Sequence, residues 1–121
     1  RLLESNAYID PLTNLGNRSG LDRHVEQLWH KGDPFTCAYI DIDHLKHCND
    51  RFGHAEGNRY ILSICRTLTE TMEPDDLLFR IGGDEFVLIS LSANETELEQ
   101  RLEQVRAGLI EASSGAHDRQ L

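Results

Sequence analysis

The chain has 121 residues, 39% hydrophobic and 27% charged, an ordinary globular composition that allows one domain and one core. Lys plus Arg number 12 and Asp plus Glu 21, and the net charge of −9 excludes a general binder of nucleic acid or anionic membrane, which needs a basic face. A phosphate-bearing small ligand stays admissible if metal ions screen the carboxylates.

Residues 1–9 read as the end of an upstream linker helix, with Leu2, Leu3 and Ile9 as its apolar positions, and a single domain is expected over 10–121. A turn follows at Asp10-Pro11. Ser19 and Asp22 have capping-box spacing, with Asp replacing the usual Glu or Gln. Leu21, Val25, Leu28 and Trp29 recur at i, i+4, i+7 and i+8, so the spacing predicts an amphipathic helix over 19–30. Lys31-Gly32-Asp33-Pro34 breaks it. Phe35 to Ile42 is mostly apolar and rich in β-formers, as in a strand buried on both faces.

A polar connector then runs to Gly57. Tyr60, Ile61, Ile64, Cys65, Leu68 and Met72 mark a helix over 57–72, which Glu73-Pro74-Asp75-Asp76 ends. Leu77 to Ile81 and Phe86 to Leu91 flank Gly82-Gly83-Asp84-Glu85, a hairpin signature in which the glycines are expected to supply positive φ. Asn94 and Glu97 form a second capping box, with Leu98, Leu102, Val105 and Leu109 as the stripe of a helix to 112 and Glu97 placed to pair with Arg101. Ser113 to Leu121 reads as a polar, mobile tail.

No run approaches the roughly 20 apolar residues of a membrane-spanning helix, and no signal segment opens the chain. Cys37, Cys48 and Cys65 are odd in number and lack C-x-x-C spacing, which suits a reduced, cytoplasmic protein; the parent protein could still be membrane-anchored. Arg1 in place of Met points to a chain excised from a longer protein, or processed. From the first strand the order is β-α-β-β-α, one strand short of the ferredoxin-like plan. The expected fold is therefore α/β (α+β), a ferredoxin-like, palm-type antiparallel sheet flanked by helices. In that plan the first strand is central and a final strand lies beside it. A bare apolar edge is a liability, so the domain is expected to continue past residue 121.

Two acidic clusters stand out, Asp41 with Asp43 at a strand end and Asp84 with Glu85 in the hairpin. A ferredoxin-like sheet pairs these segments, so the clusters can converge. Close carboxylates repel unless a cation sits between them, and an all-oxygen set suits Mg²⁺ or Mn²⁺ with substrate phosphates. The bland alternative is four acids on loop ends facing water, and spacing alone leaves both open. Likewise Gly82-Gly83 is either a plain turn or a place where a ligand approaches backbone. Lys46 is either a surface lysine or a phosphate contact, and Asn49 either a turn residue or a reader of a base edge. His44, His47 and His54 with Cys48 match no structural zinc spacing. Leu45, Lys46 and Phe52 stand where a calcium loop needs other residues. There is no phosphate-cradling glycine loop of the P-loop or dinucleotide type.

Ile81-Gly82-Gly83-Asp84-Glu85-Phe86, the stretch from Asp41-Ile42-Asp43-His44-Leu45-Lys46 through Asn49 to Gly57-Asn58, and the opening Asp10-Pro11-Leu12-Thr13-Asn14-Leu15-Gly16-Asn17-Arg18 occur in this order. On these residues the chain resembles the GGDEF family, the diguanylate cyclases, over nearly its whole length. The resemblance implies a palm-like domain that binds one GTP and faces a second GGDEF domain, the homodimer joining two GTP into cyclic di-GMP with release of pyrophosphate. It implies that Asp41, Asp84 and the Ile42 carbonyl hold Mg²⁺ or Mn²⁺. Glu85 would assist deprotonation of the attacking 3′-hydroxyl or hold the metal–phosphate geometry. His44, Leu45 and Lys46 would cradle the phosphates, Gly82 and Gly83 would let backbone pass close to the nucleotide, and Asn49 and Asn58 would read guanine.

Three departures qualify it. Asn58 stands where the family usually has Asp, which predicts weaker guanine selectivity or mixed purine use. Glu73 replaces the Arg of the family's R-x-x-D product-inhibition site while Asp76 is retained, so no feedback inhibition of the usual kind is expected. The later strands and last helix, which bring further basic residues, are absent from these 121 residues, so this fragment is expected to turn over little by itself and could dimerise through its bare edge. An upstream sensor domain, no nucleic-acid partner and no direct membrane contact complete the expectation. The alternatives are a degenerate GTP-binding regulatory module and a non-enzymatic dimerisation domain.

Overall fold

The computed structural model describes residues 7–120, with side chains placed through residue 108. Six of the expected helices and strands follow in order, with one further helix between them: α1 (Arg18–Lys31), β1 (Thr36–Asp41), α2 (Leu45–Phe52), α3 (His54–Glu70), β2 (Leu77–Gly82), β3 (Glu85–Ser90) and α4 (Glu95–Gln120). The strands form one antiparallel sheet in the order β1-β3-β2. Among the described residues no helix is long and apolar enough to cross a membrane.

β3 is the centre of the sheet and is buried on both faces. Its period of two sends Phe86 and Leu88 to one side, with Leu78, Ile61, Ile64, Leu68, Leu98 and Val105. Val87 and Ile89 go to the other, with Phe79, Leu21 and Leu28. The first layer is built by α3 and α4, the second by α1. Ile61, Ile64, Cys65 and Leu68 form the expected stripe of α3, which starts at His54 and ends at Glu70 rather than spanning 57–72.

Several expectations are corrected. α1 is capped by Asn17, whose side chain accepts from the Gly20 N–H at 2.9 Å, not by a Ser19–Asp22 box. Trp29 is 78% exposed, because at 3.6 residues per turn it lies about 80° round the helix from Leu21, outside the stripe of Leu21, Val25 and Leu28. β1 is buried on one face only, since Ala38 and Ile40 pack on the core while Cys37, Tyr39 and Asp41 are exposed. It pairs with β3 alone among the described residues, and a groove of about 930 Å³ lies along β1, α3 and α4.

The expected connector contains α2, whose only buried residue is Leu45; Phe52 is 48% exposed, so no apolar stripe announces it. Gly53, at φ 91°, joins α2 to α3 without a break in hydrogen bonding. Neither Gly82 nor Gly83 has positive φ. The hairpin closes through the two-residue turn Gly83-Asp84 with a bulge between Arg80 and Gly82, which supplies the twist that left-handed glycines were expected to give.

The Asn94–Glu97 box is present in both directions, at 2.8 and 2.9 Å. Because Glu97 is committed there, Arg101 pairs with Asp76 instead, at 2.5 Å. α4 continues to Gln120, through the segment expected as a tail. Leu109's side chain, Leu2, Leu3 and Leu121 lie outside the described residues, and Ile9 sits in a bridge to Gly16 rather than a helix. All three cysteines are free thiols.

Candidate active site

Antiparallel pairing of β1 with β3 sets Asp41 directly opposite Glu85. The Ile42 N–H donates to the Asp84 carbonyl at 2.8 Å, fixing the hairpin tip against the end of β1. The two acidic clusters thus converge, as expected. The cost is visible at Asp41, whose carboxyl is pushed above the usual range by desolvation, by the charges of Asp84, Glu85 and Asp43, and by a hydrogen-bond contact with Asp84. Neighbouring carboxylates repel unless a proton or a cation sits between them.

Glu85 is hydrogen-bonded at one oxygen, and the other lies over a glycine. Oε2 accepts from the Tyr39 hydroxyl. Oε1 lies over Gly82, where an added Cβ would stand 2.5 Å away. Tyr39 is pushed up to about 12 by its bond to Glu85, by desolvation and by the neighbouring acids. A Cβ at Gly83 would meet nothing within 4 Å, so that backbone is open to a ligand.

The hairpin tip is anchored from behind by Arg80. Its guanidinium donates to both Asp10 oxygens at 3.1 and 3.2 Å and to the Gly83 carbonyl at 3.0 Å. Asp10 also accepts from the Thr13 N–H and hydroxyl. Burial raises the Asp10 carboxyl, but the Thr13 bonds and Arg80 outweigh it and hold it below the usual range.

His44 enters α2 in the left-handed region at φ 69°, with no side-chain cap. The start of α2 therefore follows Asp43 directly, with Leu45 buried and Lys46 exposed. Lys46 makes no ion pair among the described residues. Asn49 and Asn58 come together with the α2–α3 pair rather than with the acids. The Asn49 Oδ1 is buried without a hydrogen-bond partner among the described residues and lies 1.6 Å from where a Cβ on Gly57 would stand, while Asn58, the next residue, is exposed. Tyr60 ties α3 back to the acidic loop by donating to the Asp43 carbonyl at 3.0 Å.

Asp76 is 3% exposed. It accepts from the Glu73 N–H at 2.9 Å and from Arg101. Burial raises its carboxyl, but these bonds and the Ser90 hydroxyl prevail and hold it below the usual range. Among the described residues no three His, Cys, Asp or Glu gather round one point, so the histidines and Cys48 form no metal cluster. The acids stand instead as neighbouring pairs, Asp41 opposite Glu85 in the strand register and Asp41 within the charge field of Asp84.

Sequence reading missed Tyr39 and Arg80. The signal for Tyr39 was its place two residues before Asp41, on the same strand face; for Arg80 it was a lone charge inside an apolar run.

A three-stranded antiparallel sheet between helical layers, with carboxylates meeting at a hairpin tip beside a helix start, defines a palm-type α/β domain with an acidic centre. Residues 7–120 match the family described as "Diguanylate cyclase, GGDEF domain", and the chain belongs to that family. It is 36% identical over 107 residues to diguanylate cyclase DgcP of Pseudomonas aeruginosa PAO1, covering 85% of this chain and 16% of that protein. It is 32% identical over 109 residues to diguanylate cyclase DgcP of Escherichia coli K12, covering 84% and 32%. Among solved structures it is similar to the coiled coil and GGDEF domain of DgcB from Caulobacter crescentus in complex with c-di-GMP, at TM-score 0.76 and 28% identity, covering 86% of this chain and 56% of that one. The chain thus spans less than a third of the length of these curated relatives.

Proposed function

We propose that this chain is the catalytic domain of a diguanylate cyclase, which with a second copy joins two GTP into cyclic di-GMP and releases pyrophosphate. The observation that carries this reading is the register that sets Asp41 opposite Glu85 and ties the end of β1 to Asp84, where Asp41's carboxyl is raised by desolvation and by its neighbours' charge. An oxygen-only set of two carboxylates and the Ile42 carbonyl fits Mg²⁺ or Mn²⁺, and a cation there would relieve the repulsion between the carboxylates. Bound there, such an ion would supply charge neutralisation on the triphosphate.

The chain's own residues do the rest. The left-handed turn at His44 presents the first N–H groups of α2, with Lys46, to the phosphates. Glu85 takes the proton of the attacking 3′-hydroxyl or keeps the phosphate geometry in place. Gly83 leaves the backbone bare where the nucleotide passes, and Asn49 and Asn58 face the base. Each domain would hold one GTP, which brings one 3′-hydroxyl nucleophile and one pyrophosphate leaving group, so two domains must face each other; catalysis is positioning and electrostatics. With Glu73 in place of an arginine and Asp76 already taken by Arg101, feedback binding of the product at that place is not expected.

Incubating the full-length protein with GTP and Mg²⁺ and separating the products should yield cyclic di-GMP, abolished by Asp84→Asn. Wild-type protein that forms none would overturn the reading. Asn58 favours a second one, a GTP-binding regulatory module, which Mg²⁺-dependent GTP binding without turnover would support.

A further inference from the structure

We propose that Tyr39 is a positioning residue that orients Glu85 for the reaction, an inference that rests on the cyclase reading above. The alternation of β1 puts Cys37, Tyr39 and Asp41 on the open face of the strand. Tyr39's direct cross-strand partner is Val87, so Glu85 is its diagonal neighbour on the same face, within reach of a long aromatic side chain. The ring is 59% exposed, so burial of the ring is not what it contributes most. Its hydroxyl donates to Glu85 Oε2, while Oε1 lies against the bare Cα of Gly82.

A glutamate at a hairpin tip has three rotatable bonds and would otherwise sample several rotamers. A donor at one oxygen and a glycine under the other select one. For a group that must meet a hydroxyl or keep a phosphate in line, the fraction of time spent in that orientation enters the rate directly. The contacts proposed for the base and for Lys46 lie on α2 and α3, and the backbone of Gly83 and the acids Asp41 and Asp84 make no hydrogen bond to Tyr39's hydroxyl among the described residues. Losing the hydroxyl therefore lowers kcat and leaves KM alone.

The test has two arms on the full-length protein. In metal-free protein with ¹³Cζ-labelled tyrosine at fixed neutral pH, Glu85→Gln should move the Tyr39 resonance, assigned with Tyr39→Phe. An unmoved resonance overturns the contact and the inference, whatever the activity. With GTP and Mg²⁺, Tyr39→Phe should lower kcat about three- to tenfold with KM for GTP and melting temperature unchanged. A wild type that turns over GTP but ignores Tyr39→Phe overturns this inference and leaves the cyclase reading standing. A matched fall in melting temperature, or a rise in KM in place of the fall in kcat, also overturns it. A wild type with no turnover overturns the cyclase reading, and the inference with it.

Discussion

Gly57 carries more consequence than its size suggests. It is buried inside α3, where replacing glycine by alanine ordinarily stabilises a helix by about 1 kcal/mol. Here the added Cβ would fall on the Asn49 Oδ1. Gly57→Ala should therefore leave the melting temperature level or higher, yet weaken GTP binding about tenfold by turning Asn49 away, as read by calorimetry. Asn58, its neighbour, offers one acceptor and one donor where a carboxylate offers two acceptors. Asn58→Asp should raise the preference for GTP over ATP by roughly 1–3 kcal/mol. An unchanged affinity ratio would show that base selection does not pass through this position.

At the scale of elements, α4 begins on a reciprocal cap that is open to direct challenge. Asn94→Ala removes the acceptor for the Glu97 N–H and should cost about 1 kcal/mol in denaturant unfolding, with little effect on GTP affinity. This cap was legible in the sequence because its spacing encodes its geometry. The stripes of α3 and α4 and the paired apolar runs of the hairpin were legible for the same reason. α2 was not, since a helix with a single buried residue has no periodicity to read. The burial of β1 was misjudged because α1 packs over β2 instead, and which strand a helix covers is a tertiary fact. The Ser19 box lost to Asn17 because both spacings exist and only the path of the preceding turn selects between them.

For the molecule as a whole, the acidic centre works against stability. Asp41's folded pKa lies above its unfolded value, so its ionisation opposes folding at neutral pH, and that opposition fades as pH falls through the folded pKa. Asp10 and Asp76 have the opposite sign: their stabilisation is complete above the ordinary carboxylate pKa and is lost as pH falls through their depressed folded values. His24, lowered by burial and by Lys31, also loses stabilisation on acidification, from its unfolded pKa downward. The difference between Asp41→Asn and wild type isolates the first effect. The variant should melt higher at pH 7, the gap should close on acidification, and the rise in melting temperature that Mg²⁺ with GTP gives the wild type should shrink in the variant. The meeting of the acids was legible from fold pattern and motif. Their clamps were not, because the Tyr39 and Arg80 contacts join residues 46 and 70 apart in the chain. That separation sets an order of events. The hairpin is local and can form early, whereas the Asp10–Arg80 link must wait for most of the chain to close on itself. Contacts made after the folding barrier act on the way out, so Asp10→Asn should hasten unfolding in stopped-flow experiments and leave the refolding limb nearly untouched. The brace behind the tip that carries Asp84 would then be late to form and early to let go.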